Sequence, residues 1–170
     1  EEVIARLPGI DLDLAQRIIS SPSRPFHVKE ELLLLEGCDK SFDQCKDFIS
    51  VYSNGKVNVN TAPVEVLTAL GIDSQVASII EEFRKGPDLE EATEDDEVFE
   101  NTGEIVDKLN SFRSLLEQQQ EMLLGIIEQG AVTVESENFT MQIEANILNK
   151  TAMRYVVVMD AKNIKQWQEF

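Results

Sequence analysis

The chemistry-bearing residues are concentrated in one acidic run. Between Gly86 and Val98 the sequence Gly-Pro-Asp-Leu-Glu-Glu-Ala-Thr-Glu-Asp-Asp-Glu-Val carries seven carboxylates, and acids continue to Glu100. Calcium takes about six to eight oxygen ligands, and carboxylates crowded on a loop can supply several. Asp95, Asp96 and Glu97 are the first candidates for such a site. The alternative is a solvated acidic loop, because no D-x-D-x-D-G calcium loop is present. Cys38 and Cys45 stand seven apart, with no histidine nearby to complete a zinc site. Their spacing permits a short-loop disulfide, which would mark an oxidising compartment, and equally permits two free thiols. His27, the only histidine, has no nucleophile at motif spacing and reads as a surface residue. Neither a phosphate-cradling glycine loop nor a hydrolase or metalloprotease motif occurs. Asn138-Phe-Thr and Asn149-Lys-Thr match glycosylation triplets, which are common by chance. No residue pattern supports an enzyme, and no cofactor beyond calcium is indicated.

Two further acids, Asp11 and Asp73, belong to an internal repeat. Leu7-Pro8-Gly9-Ile10-Asp11 continues to Ala15 and Ile18, and Leu70-Gly71-Ile72-Asp73 continues to Ala77 and Ile80 at the same intervals. The likeness extends to Phe26 and Leu32 in one copy and Phe99 and Ile105 in the other, the second copy having eleven extra residues in between. Each copy reads as a helix, a tight glycine turn and an amphipathic helix, the helix–hairpin–helix pattern. In DNA-binding hairpins the glycine lets backbone approach a phosphate, and the N–H groups opening the next helix donate to it. Aspartate at that position is a strong N-cap, so it would take those N–H groups and place negative charge where the phosphate should sit. Pro8, Gly9, Asp11, Gly71 and Asp73 are therefore expected to be structural hairpin residues.

Composition agrees. Thirty-two acids against 15 bases give a formal charge of −17, and lysines and arginines are scattered without a cluster. Such a balance disfavours nucleic acid and anionic membrane as partners. No apolar run approaches the roughly 20 residues of a membrane-spanning helix. Glu1-Glu2-Val3-Ile4 resembles interior sequence, so a preceding segment is expected.

The elements that must hold these residues fall into three stretches. Residues 1–56 form the first unit: a helix from Asp11, a breaker at Ser20–Pro25, a short helix over Lys29–Glu36 closed by Gly37, and another from Phe42 to Val51. Residues 57–112 form the second unit: Val57–Val59 extended, a helix starting at Asn60-Thr61-Ala62-Pro63 with a capping side chain, and the acidic insertion 86–98. Residues 113–170 combine a helix with antiparallel strands. Leu115, Leu116, Met122, Leu123, Leu124, Ile126 and Ile127 make an apolar stripe, suited to core or to a partner helix. Phe139–Ile147 alternates apolar and polar residues, Leu148–Thr151 turns, and Met153–Met159 and Ile164–Trp167 return as strands. Helices followed by a meander give an α+β class, and a sheet this small needs another layer on its apolar face.

Lys56-Val-Asn-Val-Asn-Thr-Ala-Pro-Val-Glu-Val-Leu-Thr-Ala-Leu70 resembles the N-I-N-T-A-P-x-x-V-L-x-A-L signature of the general secretion pathway protein K family, minor pseudopilins of type II secretion. Glu30-Glu31-Leu32 and Gly37 upstream, and Ser136 to Phe139 as an S-x-x-F strand opening, agree with it. Competence-type DNA-uptake proteins share V-N-I-N-T-A, but they typically carry Pro-Gly-Ile-Gly where this chain has Pro-Gly-Ile-Asp. The resemblance implies a tandem helix–hairpin–helix (SAM-like) helical domain joined to a small antiparallel sheet of pilin type. It also implies an upstream anchoring helix in the inner membrane, a periplasmic location, other minor pseudopilins as partners, and calcium in the helical domain. The implied function is structural, at the tip of a secretion pseudopilus; a helix–hairpin–helix DNA-binding or DNA-uptake module is the alternative.

Overall fold

The structure, a computed structural model, describes residues 2–147 and 150–170. It divides into two compact units, residues 1–134 and 135–170. The first is helical and the second is a sheet, so the molecule is of mixed α+β class.

In the helical unit, α1 (Glu2–Ala5) and α2 (Leu12–Ser20) flank the first glycine turn. A 3₁₀ segment, Lys29–Leu34, follows, and then α3 (Phe42–Cys45). Both are shorter or tighter than the sequence pattern predicts. Phe42 and Cys45 are buried, and the segment after them leaves the helix to line a cleft. Next, α4 (Val64–Leu70) and α5 (Ser74–Arg84) flank the second glycine turn. The acidic loop leads to α6 (Ile105–Phe112) and α7 (Glu117–Glu128). Two short strands, β1 (Val57–Asn58) and β2 (Val132–Thr133), pair in parallel and close the unit.

The sequence repeat is a repeat of core positions. Ala15, Ile18 and Leu32 lie in one apolar cluster with Leu7, Ile10 and Leu14. Their counterparts Ala77, Ile80 and Ile105 lie in a second with Leu67, Ile72 and Leu109. Helix α4 serves both, because Leu67 enters the second cluster while Ala69 enters the first. Leu115 and Leu123 are buried in the second cluster too, with Ile126 and Ile127 packed against it. That burial moves the boundary: α7 belongs with the helices, and the division falls after Val134 rather than at residue 113. Leu116, Met122 and Leu124, on the same stripe, remain exposed.

The second unit is an antiparallel meander of β3 (Phe139–Ile147), β4 (Lys150–Met159) and β5 (Ile164–Glu169). Met141 pairs with Val157, and Val157 with Trp167. Alternation along each strand then puts Phe139, Met141, Ile143, Met153, Tyr155, Val157, Met159 and Trp167 on one face. Tyr155 and Trp167 rings meet there at 5.2 Å. The other face carries Thr140, Gln142, Glu144, Gln166 and Gln168, with a Glu144–Arg154 ion pair at 2.8 Å. Among the described residues, no element of this unit layers over the apolar face. Of the expected turn, Leu148 and Asn149, the latter heading the second glycosylation triplet, lie outside the described residues, while Lys150 and Thr151 already belong to β4. Among the described residues, no helix is long and apolar enough to cross a membrane.

Candidate functional site: two occupied glycine turns and an acidic loop

Both glycine turns have their helix N-termini filled by the protein itself. Gly9 adopts φ +77°, and a Cβ there would lie 2.9 Å from Gln44 Cβ and 3.1 Å from the Ser41 carbonyl. The close approach that glycine permits is thus spent on α3, not on an external group. Asp11 caps α2, its Oδ1 accepting from the Leu14 N–H at 2.8 Å. In the second turn Gly71 adopts φ +105° as the left-handed end of α4. Asp73 Oδ1 accepts from Gln75 N–H at 3.0 Å and Val76 N–H at 3.3 Å. Gln119 of α7 completes the closure, donating from Nε2 to Asp73 Oδ1 at 3.1 Å and to Gln75 Oε1 at 3.3 Å. An arriving phosphate would meet a carboxylate and a side-chain amide in place of open N–H groups.

Sequence reasoning missed Gln119, which is one of three consecutive glutamines and carries no distinguishing pattern. It also misplaced the helix start at residues 60–63. Pro63 is the N-cap of α4, and no side chain caps it. Asn60 is used differently. Its Oδ1 accepts from the Phe99 N–H, while its Nδ2 donates to the carbonyls of Phe99 and Val134, all at 2.9 Å. One side chain therefore joins the end of β1, the segment after the acidic loop and the end of β2. Arg84 supports the same turn from below. Buried at 8% exposure, it donates from Nη1 to the carbonyls of Val59 (3.0 Å) and Ala62 (2.7 Å). Burial pushes its pKa down from the usual guanidinium range, opposed by the nearby Glu91 and Glu81. The Asn60-Thr-Ala-Pro63 motif is thus a brace within the second unit of the repeat.

Two of the calcium candidates, Asp95 and Asp96, are spent on the loop that carries them. Asp95 Oδ2 accepts from Asp88 N–H at 3.2 Å, and its Oδ1 from the Thr93 hydroxyl at 2.8 Å. Asp96 accepts from Ala92 N–H at 2.8 Å, and its Oδ1 lies 3.1 Å from the same Thr93 Oγ1, whose single proton the two carboxylates share. Glu97 turns its N–H onto the Arg84 carbonyl at 3.1 Å. Leu89 and Ala92 sit at φ +60° and +65°, and a Cβ at Gly86 would run into the Asp95 carbonyl. The carboxylates of Asp95 and Asp96 pin this tightly wound backbone by accepting from its N–H groups and from Thr93, while Asp95 stays exposed to solvent. Among the described residues, no group of three or more acidic, histidine or cysteine side chains is placed to hold a metal. The residues present do not fit the expected calcium site. The Thr93 hydroxyl first, and the Asp88 N–H next, hold the Asp95 carboxyl below the usual carboxylate range.

Cys38 and Cys45 are free thiols, both fully buried in the first cluster. The expected alternative of a bridge is therefore not the one adopted. Cys45 Sγ donates to the Phe42 carbonyl at 3.6 Å, and burial pushes both thiols up in pKa. His27 contributes its backbone N–H to Glu31 Oε2 at 3.2 Å. Asn138 accepts from Lys165 Nζ at 2.6 Å.

Compared with protein-family models, curated proteins and solved structures, the chain matches none in any of the three.

Proposed function

We propose that this chain is a structural subunit of a type II secretion pseudopilus, a minor pseudopilin acting through protein–protein contacts. In this reading the helical unit is the tandem helix–hairpin–helix domain and the three-stranded sheet is the pilin-type part. The protein is non-enzymatic, lies in the periplasm and is tethered to the inner membrane by a helix upstream of Glu1. Its partners are other minor pseudopilins.

The observation that carries the reading is the sheet. One face carries eight apolar or aromatic residues, from Phe139 to Trp167, of which Phe139, Met141, Ile143, Met153 and Trp167 are exposed, and among the described residues no second layer lies inside its unit. Trp167 is 55% exposed and Phe139 56%. A three-stranded sheet of this kind gains its stability by being covered, and assembly supplies a cover. The capped glycine turns favour scaffold over DNA contact, since Asp11 and Asp73 occupy the phosphate position in both copies.

The test is co-assembly. The protein is mixed with the soluble domains of the other minor pseudopilins of its own secretion system, and mass is read by light scattering after gel filtration. A stoichiometric complex, weakened at least tenfold by Met141→Glu or Trp167→Glu, is expected. Absence of any complex, together with a low-salt mobility shift of duplex DNA, would transfer the reading to the DNA-binding alternative.

A further inference from the structure

A cleft of about 390 Å³ opens within the helical unit, and nothing in the reading above uses it. Its walls are Ile4, Ile10, Ile18, Ile19, Phe26 and Phe48, together with residues 49–51. Its volume lies within the range of small-ligand clefts, and its lining has their usual apolar character.

The charges at this cleft run against those of the unit around it. Five acids and four bases lie in residues 135–170, leaving 27 acids and 11 bases in residues 1–134. Yet among the described residues the only charged ones lining the cleft are two cations, Arg24 and Lys29. Among the described residues, neither forms an ion pair with a carboxylate. Arg24 donates from Nη1 to the Ile19 carbonyl at 3.0 Å, and Lys29 from Nζ to the Lys46 carbonyl at 2.7 Å. Elsewhere in the unit bases find acids, as in Arg17–Asp13 at 3.0 Å and Arg113–Glu82 at 2.7 Å. A guanidinium has five N–H donors and an ammonium three, so both cations keep donors to offer.

We infer that this cleft binds a small apolar group carrying a single carboxylate, its body against the isoleucines and Phe26 and its head on Arg24 and Lys29. The charge must be single. The surrounding unit repels anions at long range, and a multiply charged head such as a phosphate would be penalised most. An apolar body supplies the attraction that overcomes this, and charge-assisted bonds to a guanidinium and an ammonium orient the head. A free medium-chain acid and the terminal carboxylate of a peptide with an apolar last residue share this chemistry. The inference goes beyond the pseudopilus reading and does not rest on it.

The experiment is titration of the whole protein, followed by NMR of the isoleucine methyl groups and by calorimetry. Four probes are compared: octanoate, octanol, acetyl-Gly-Phe with a free carboxylate, and the same peptide as its amide. At least one acid should saturate, shift the Ile10, Ile18 and Ile19 methyls, and bind about tenfold more tightly than its neutral counterpart. Tighter octanoate assigns the free acid, and tighter peptide assigns the chain terminus. Arg24→Gln and Lys29→Gln should each remove most of that preference while leaving octanol binding as it was. The inference is overturned by the absence of saturation with both acids. Equal affinity for acid and neutral probe overturns it as well, a comparison made on the unaltered protein and independent of how the variants fold. Persistence of the acid preference in both folded variants would do the same.

Discussion

A single side-chain oxygen at each glycine turn decides what the turn can do. Asp73 Oδ1 gathers three donors, two from the backbone of α5 and one from Gln119. Asp73→Ala should cost about 1 kcal/mol in chemical denaturation, the usual loss of a cap, while Asp73→Asn, which retains an acceptor, should lie close to the parent. Asn60 stands in a different position energetically. Removing it strands the Phe99 N–H and two carbonyls in a partly buried place. Asn60→Ala should therefore cost more, about 2–3 kcal/mol, because unsatisfied groups lose their full solvation. Equal losses for the two variants would show that Asn60 braces nothing.

At the scale of elements, glycines with similar backbone angles carry different loads. Gly55 at φ +84° has nothing within 4 Å of where a Cβ would stand, whereas Gly9 at φ +77° has Gln44 and Ser41. Gly55→Ala should cost about 1 kcal/mol, the left-handed penalty alone. Gly9→Ala should exceed it by at least about 1 kcal/mol, because α3 must move, and urea midpoints measure both. The acidic loop carries a pH prediction. Asp95 is held low by Thr93 and Asp88, and Glu104 by the Glu100 N–H and Lys108. A depressed folded pKa contributes stability that is present above the ordinary carboxylate range and lost as pH falls through the folded value. Protection factors of the Asp88 and Glu100 amides should hold from neutrality down to about pH 5 and fall below about pH 4. Loss of protection on raising the pH instead would reverse the assignment.

At the scale of the whole molecule, charge is divided unevenly. Residues 1–134 hold 27 of the 32 acids and 11 of the 15 bases, while residues 135–170 are almost balanced. Self-repulsion of the helical unit should make its stability rise with salt. Between about 0.01 and 0.1 M sodium chloride the Debye length shrinks from about 30 to about 10 Å. The melting temperature of the helical unit should rise by roughly 2–4 °C, equivalent to about 1 kcal/mol. A flat or falling dependence would mean that ion pairs such as Arg113–Glu82 outweigh the general repulsion.

The sequence by itself determined whatever depends on short-range pattern. The repeated spacing of Gly, Asp, Ala and Ile marked both turns, both caps and matching core positions, because helix period and capping are local properties. Strict alternation from Phe139 to Ile147 marked β3 for the same reason. Tertiary structure decided what depends on partners distant in the chain. Asn60 left its expected cap to join Phe99 and Val134, 39 and 74 residues away. Gln119 reached Asp73 across 46 residues. Helix α7 went to the helical core because Leu123 is buried in its second cluster. Asp95 and Asp96 turned onto their own loop because that backbone, wound by Gly86, Leu89 and Ala92, had N–H groups to satisfy. Apart from Leu123, each case is a polar group that needed a partner, and only the folded arrangement says which one is within reach.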